Sequence, residues 1–308
     1  MYARPALFFN RHLETIYPAL FRSVPLTYRR ERITTADNDF LDLDWLNGGF
    51  TKLLILSHGL EGNSHRAYIK GMARHFFKNG FDVLAWNYRG CSGEMNHALR
   101  FYHSGATDDL QEVITHALRQ GYSEIYLIGF SLGGNLTLKY LGERSIDERI
   151  KAAVAFSVPL ELYSSCLKIS NSSNRIYAQR FLRSLKKKVK EKSSKMKNLD
   201  VSKIDSIKTL YEFDNLYTAP LHGFANALDY YRQSSAIHFL KNIQIPTLLV
   251  SAKNDPFLSH ECFPDTNENK MLHQEYPTHG GHVGFTTFNK NGVYWSEQRA
   301  LDFILTQV

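Results

Sequence analysis

A serine with a glycine two residues away on either side, Gly129-Phe130-Ser131-Leu132-Gly133, joins an apolar run (Glu124–Phe130) to a helical stretch (Asn135–Leu141). G-x-S-x-G between a strand and a helix is the signature of a nucleophile elbow. The turn is so tight that only glycines at the two flanking positions let strand and helix pass without a Cβ clash. The strain lifts the serine hydroxyl clear of the sheet, where a base and a substrate can reach it. A serine becomes a nucleophile only beside a base, and the base needs an orienting acid. The chain offers both, in the order serine, acid, histidine. Asp255 lies in Ala252–Phe257 and His282 in Thr278–Phe285, each after an apolar run. Glu261 and Asp265 rival Asp255, and His279 rivals His282; strand-end position favours Asp255, and depth in its loop favours His282. An oxyanion needs donors as well. The backbone N–H of Leu60, in the His58-Gly59-Leu60 turn, and that of Leu132, next after the serine, can supply them.

Those residues need a frame. Leu53–Ser57 reads as a buried strand. A helix follows with Ile69, Met72, Ala73, Phe76 and Phe77 at i, i+3, i+4, i+7 and i+8, and Gly80 at its C′ position. Phe81–Trp86 is a second strand. Leu110, Val113, Ile114, Ala117 and Leu118 mark a second helix, with Asp108 and Asp109 near its positive end. After the elbow come strands at Ile150–Phe156, Pro246–Ser251 and near Gln274–Tyr276, then a terminal helix over Tyr294–Val308. Repeated βα units predict a mainly parallel sheet with helices on both faces. Ser131, Asp255, His282 and the His58-Gly59 turn each fall just past a strand, so all four share the sheet edge where ligands bind.

Two segments break the alternation. Residues 24–48 read as an antiparallel pair, Leu26–Thr34 and Phe40–Trp45, around a turn at Asp37-Asn38. Residues 163–242 lack a buried-strand pattern and read as a helical cap insertion. This gives one domain, 1–308, with a core over 24–162 and 243–308. Within the insertion Tyr177, Phe181, Leu185 and Val189 recur every four residues, so one helix face is apolar and the other basic.

The net charge of +7 comes from one place: Arg183–Lys197 holds eight basic residues and one acid, and the remaining 29 basic and 29 acidic residues cancel. A nucleic-acid-binding surface is therefore not indicated. The run has two readings: a lid leaning on anionic membrane or drawing in acidic acyl substrates, or the solvated face of a cap helix. Lys192–Lys197 reads as poorly ordered. Cys91, Cys166 and Cys262 are too few for a disulfide framework or a thiolate metal site. His273, Glu275, His279 and His282 do not match a zinc-protease spacing, so no metal is expected. The glycines at 129–134 fit neither dinucleotide-binding nor Walker patterns, so no nucleotide cofactor is expected. Cys91 reads as packing, His58 as shaping its turn, and His65 and His103 as surface or structural residues. The first ten residues show no signal-peptide layout and no run is long enough to span a membrane, so a cytoplasmic location is the expectation.

Six stretches carry a specific resemblance: His12–Pro18, His58–Asn63, Asn87–Gly93, Tyr102–Asp109, Gly129–Asn135 and Gly280–Phe285. Together they resemble the α/β-hydrolase superfamily and, within it, the AB-hydrolase-4 family of hydrolases and esterases. The resemblance implies a Ser131–Asp255–His282 triad, carboxylic-ester hydrolysis, no cofactor and a small-molecule ester as partner. Some members are similar to medium-chain ester synthases or lipases. An acyltransferase using the same acyl-enzyme is thus the alternative, and a non-catalytic relative the third reading.

Overall fold

A computed structural model describes residues 2–196, 199–265 and 269–307. The chain runs α1 (Arg11–Phe21), β1 (Arg29–Thr34), β2 (Phe40–Leu46), β3 (Lys52–Ser57), α2 (Ala67–Lys78), β4 (Asp82–Asn87), α3 (Thr107–Arg119), β5 (Glu124–Phe130), α4 (Leu132–Glu143) and β6 (Ile150–Phe156). Helices α5 (Leu162–Ser170), α6 (Arg175–Ser193), α7 (Leu210–Phe213), α8 (Ala219–Leu221) and α9 (Ala227–Ser234) follow, with a π-helical turn at Asp214–Thr218. Then come β7 (Thr247–Val250), β8 (Leu272–Glu275) and α10 (Trp295–Leu305).

The strands form one sheet in the order β1-β2-β4-β3-β5-β6-β7-β8. β1 and β2 pair antiparallel, β2 joins β4 antiparallel, and all later neighbours are parallel. The hairpin read in the sequence thus extends the edge of the main sheet. Two cross-strand pairs fix its register: Arg30 opposes Asp44 and Arg32 opposes Asp42, each a two-pronged ion pair of 2.7–2.9 Å.

The period of two along each strand sends alternate side chains to opposite faces. Leu53 and Ile55 of β3 join the core under α3 and α4, whereas Leu54 and Leu56 join the core under α2 and α10. On α2 the stripe read from spacing is the buried one: Ile69, Met72, Ala73 and Phe76 have no exposed surface. Burying each large member stabilises the fold by about 1.5–3 kcal/mol. Gly80, at φ +86°, ends that helix.

Residues 162–242 are helical throughout their ordered elements and have their own apolar cluster, including Leu182, Val189, Phe213, Tyr217 and Tyr230. Here the structure corrects two expectations. The basic face of α6 is not uniformly solvated: Lys188 pairs with Glu61 at 2.8 Å, and Lys192 is 1% exposed. The Lys192 ammonium donates to Asn96 Oδ1 (2.8 Å) and the carbonyls of Ala98 (2.6 Å) and Arg100 (3.0 Å), above the Phe101 ring. Lys192 and Ser193 are therefore the ordered last residues of α6; Lys197 lies outside the described residues. Among the described residues, no helix is long and apolar enough to cross a membrane.

Candidate active site

Ser131 sits at the turn from β5 into α4 with φ +53°, a conformation that costs a non-glycine residue about 1–3 kcal/mol. Its N–H bonds to the Phe156 carbonyl at 2.8 Å, and its carbonyl accepts the Asn135 N–H at 3.0 Å. The flanking glycines explain how the turn closes. A Cβ on Gly129 would fall 2.6 Å from the Gly133 carbonyl carbon, and one on Gly133 would fall 2.7 Å from the Ser57 carbonyl carbon. Other non-glycine residues at positive φ crowd the same edge: Glu61 (53°), Ser157 (53°), Val283 (55°) and Phe285 (41°).

The Ser131 hydroxyl lies 3.0 Å from His282 Nε2, and His282 Nδ1 donates to Asp255 Oδ2 at 2.8 Å. Asp255 is 3% exposed, and its other oxygen accepts the Phe257 N–H at 2.8 Å. The Phe257 ring packs on the imidazole with centroids 4.2 Å apart. Glu261 and Asp265 do not take this place. His279 points elsewhere, with Nδ1 3.8 Å from Glu14, and its side chain is 38% exposed.

The Leu60 N–H makes no hydrogen bond within the described residues, and the Leu132 N–H opens α4, where a helix has no internal acceptor for it. Both residues line a chamber with Ser131. The turn holding Leu60 is braced on each side. The Tyr68 hydroxyl accepts the Gly59 N–H at 3.0 Å; the Tyr102 hydroxyl accepts the Glu61 N–H at 2.9 Å and donates to Glu61 Oε1 at 2.7 Å. Glu61 also takes the Lys188 ammonium and the Ser184 hydroxyl, so α6 is tied to this turn.

His58 is fully buried and holds its own turn: Nδ1 donates to the Gly59 carbonyl at 2.8 Å, while Nε2 accepts the Tyr88 N–H at 3.3 Å. Burial pushes it down to about 3, so it stays neutral. Cys91 is buried beside Lys188, and burial raises its thiol to about 11, unlike a reactive cysteine. His65 is exposed with its ring against Tyr28; His103 lines the chamber, its Nδ1 accepting the Gly105 N–H at 3.2 Å and its ring packing on His222, Phe224 and Tyr230. His273 packs on Phe303 and Glu275 pairs with Arg299, so the histidine-rich stretch does not converge.

The sequence reading missed what holds the histidine loop. Four successive amides, 280–283, are each captured by a side chain from elsewhere. Glu14 Oε2 accepts the Gly280 N–H (2.5 Å), Asn254 Oδ1 that of Gly281 (3.1 Å), Thr15 Oγ1 that of His282 (3.0 Å) and Ser157 Oγ that of Val283 (2.9 Å). Asn254 also donates to Glu14 Oε1 at 3.0 Å, and Glu14 is 1% exposed. The approach is close: a Cβ on Gly281 would fall 2.7 Å from Thr15 Oγ1. Helix α1 is therefore the backstop of His282. The one available signal was that His12–Pro18 stood among the matching stretches without a role.

Two chambers meet at Ser131 and His282, with Leu60, Phe181 and Phe257 in the walls of both. The inner one, about 140 Å³, lies under the helical segment and is lined by residues such as Leu162, Ile169, Leu185 and Tyr231. The outer one, about 470 Å³, lies between α1 and α6, with Ile16, Leu20, Ile176 and Arg180 in its walls.

Comparison with known proteins agrees with this architecture. Residues 52–273 match the model of the alpha/beta hydrolase fold. The chain is 34% identical over 312 residues to a protein of Escherichia coli (strain K12) that carries the name esterase YheT, covering 97% of this chain and 91% of that one. It is 29% identical to the monoacylglycerol lipase of Saccharomyces cerevisiae, covering 82% of this chain and 58% of that one. Among solved structures it resembles the Pyrococcus furiosus esterase Pf2001, with TM-score 0.59, 18% identity and coverage of 93% and 98%. A parallel sheet with a strained serine turn at its edge and this match over most of the chain lead to one conclusion: the protein belongs to the α/β-hydrolase family.

Proposed function

We propose that the protein is a serine hydrolase of carboxylic esters. The observation that carries this reading is the unbroken line of contacts from the Ser131 hydroxyl through His282 to Asp255, at the point where two chambers meet. The names of the relatives, an esterase and a lipase, point the same way.

The steps follow from the geometry. Ser131 Oγ attacks the ester carbonyl carbon while its proton moves to His282 Nε2. Asp255 keeps the Nδ1 proton in place and stabilises the imidazolium. The carbonyl oxygen becomes an oxyanion, held by the free N–H groups of Leu60 and Leu132. The C–O bond to the alcohol then breaks, and His282 returns the proton to the leaving alkoxide. Water enters and attacks the acyl carbon while giving a proton to His282; the bond from that carbon to Ser131 Oγ then breaks, His282 returns the proton to Oγ, and the acid leaves. In this reading the inner chamber takes the acyl group and the outer chamber takes the alcohol. The helical segment 162–242 acts as the cap over the acyl side, with Lys188–Glu61 tying it to the oxyanion turn.

A fluorophosphonate probe tests the assignment. It labels the wild type and fails to label Ser131→Ala; labelling that survives in the variant removes Ser131 from its role. His282→Ala abolishes p-nitrophenyl ester turnover, whereas His279→Ala retains most of it. The reverse result transfers the base to His279.

A further inference from the structure

The inner chamber holds a charged group that the ester reaction does not use. Asp214, from the π-helical turn at Asp214–Thr218, lines the same chamber as Ser131. Ser131 belongs to the sheet edge and Asp214 to the helical segment, so they stand on different walls. The rest of the lining is mostly apolar, with Leu162, Ile169, Leu185 and Leu210 prominent. A plain alkyl chain would need only that. A carboxyl group in such a place carries a desolvation cost unless something compensates it.

The compensation inside the protein is partial. Asp214 Oδ1 accepts the Thr218 hydroxyl at 2.5 Å and Oδ2 accepts the Tyr231 hydroxyl at 2.7 Å. A carboxylate offers about four acceptor sites, so these two donors leave room for more. Among the described residues no lysine or arginine pairs with Asp214. Three nearby hydroxyl protons are committed, whereas the Tyr230 hydroxyl, also in the lining, accepts the Ser104 N–H at 3.1 Å. Those of Thr218 and Tyr231 go to Asp214, while the Ser165 hydroxyl lies 2.7 Å from the Glu161 carbonyl. The Asp214 oxygens therefore keep acceptor capacity at the chamber wall. Burial also lifts the Asp214 carboxyl to about 6, as expected of a group short of partners.

Resting on the ester-hydrolase reading, we infer that the Asp214 corner of the inner chamber is a binding subsite for short acyl groups that carry a hydrogen-bond donor, a hydroxyl or an ammonium, near their far end. Ser131 and Asp214 line the same chamber, about 140 Å³, so an acyl group joined to Ser131 can carry its tip to the Asp214 corner. A donor at its tip completes the Asp214 acceptor set, and a methyl there leaves the set short. Sites built to bond a polar group discriminate against the analogue that lacks it.

The test compares kcat/KM of the wild type on p-nitrophenyl hexanoate, 6-hydroxyhexanoate and 6-aminohexanoate. The subsite predicts that at least one donor-bearing ester exceeds hexanoate by about tenfold, as a hydrogen bond to a charged group implies. The two arms separate hydroxyl from ammonium. Asp214→Asn, equal in size and uncharged, reduces an ammonium preference more than a hydroxyl one; Asp214→Leu brings every ratio to about one. Because the wild type decides alone, a variant that fails to fold does not rescue the idea. Hexanoate cleaved as well as both donor-bearing esters overturns the subsite and leaves the ester reading standing. A wild type that cleaves no ester of any chain length overturns both.

Discussion

Two regions enclose the inner chamber, and they are built with opposite tolerances. At the sheet edge around Ser131, backbone touches backbone. A methyl group on Gly129 or Gly133 would enter a neighbouring carbonyl, and the four amides of the histidine loop are each held by a separate side chain. Across the chamber, the helical segment contributes Leu162, Ile169, Leu210, Asp214 and Tyr231 to the lining. Those side chains can change size or polarity without moving the chain. In the proposed reaction the reacting atoms are thus fixed by a tight backbone turn and by side-chain clamps on the histidine loop, and the shape of what binds is left to the opposite wall.

The sharpest way to break this contrast is Ser131→Ala. It should lower kcat on p-nitrophenyl esters by about 10⁶-fold while circular dichroism stays unchanged. A loss below about tenfold would make the strained turn ornamental. Next is Gly133→Ala, which forces a Cβ against Ser57 and His58. It should destabilise the fold by about 3 kcal/mol in urea unfolding, against at most about 1.5 kcal/mol for Ile169→Val in the opposite wall. Equal losses would mean that the two walls are equally tight.

Thr15→Val comes third. It removes the acceptor of the His282 N–H and keeps the side-chain shape. About a tenfold fall in kcat with KM unchanged, restored by Thr15→Ser, would establish Thr15 as a positioning residue. A Tm loss without a kcat effect would make it structural only. The last pair separates neighbours on α6. Lys188→Met breaks an ion pair whose side chains are 17% and 6% exposed and should cost about 1.5–3 kcal/mol. Lys187→Met, exposed on the same helix, should stay within about 0.5 kcal/mol. Identical shifts in thermal melts would contradict the tie between α6 and Glu61.

The contrast also sets what could be read in advance. The elbow, the strand-end carboxylate and the strand-end histidine announce themselves because tight backbone geometry demands particular residue types within a few positions. The alternating β and α elements are legible for a similar reason, since each periodicity is local. The α1 clamp is not local: Glu14 and Thr15 meet partners at 254 and 280–282, more than 230 residues away, and spacing carries no trace of such a meeting. The inward placement of Lys188 and Lys192 is legible in the spacing, although their charge argues for a solvated face. Leu185, Lys188, Val189 and Lys192 follow the i, i+3, i+4, i+7 stripe, so both lysines lie on the packed face. Asp214 gave no signal, because one acid among the aromatic and aliphatic residues of 210–221 belongs to no recognisable spacing.

Helix α1 forms one side of the outer chamber and, through Glu14 and Thr15, also fixes the loop of His282, the base of the proposed reaction. One element thus serves as doorpost and as gunsight. A small molecule wedged behind it would disarm the protein from the rear, pulling the imidazole out of line without ever competing for the serine.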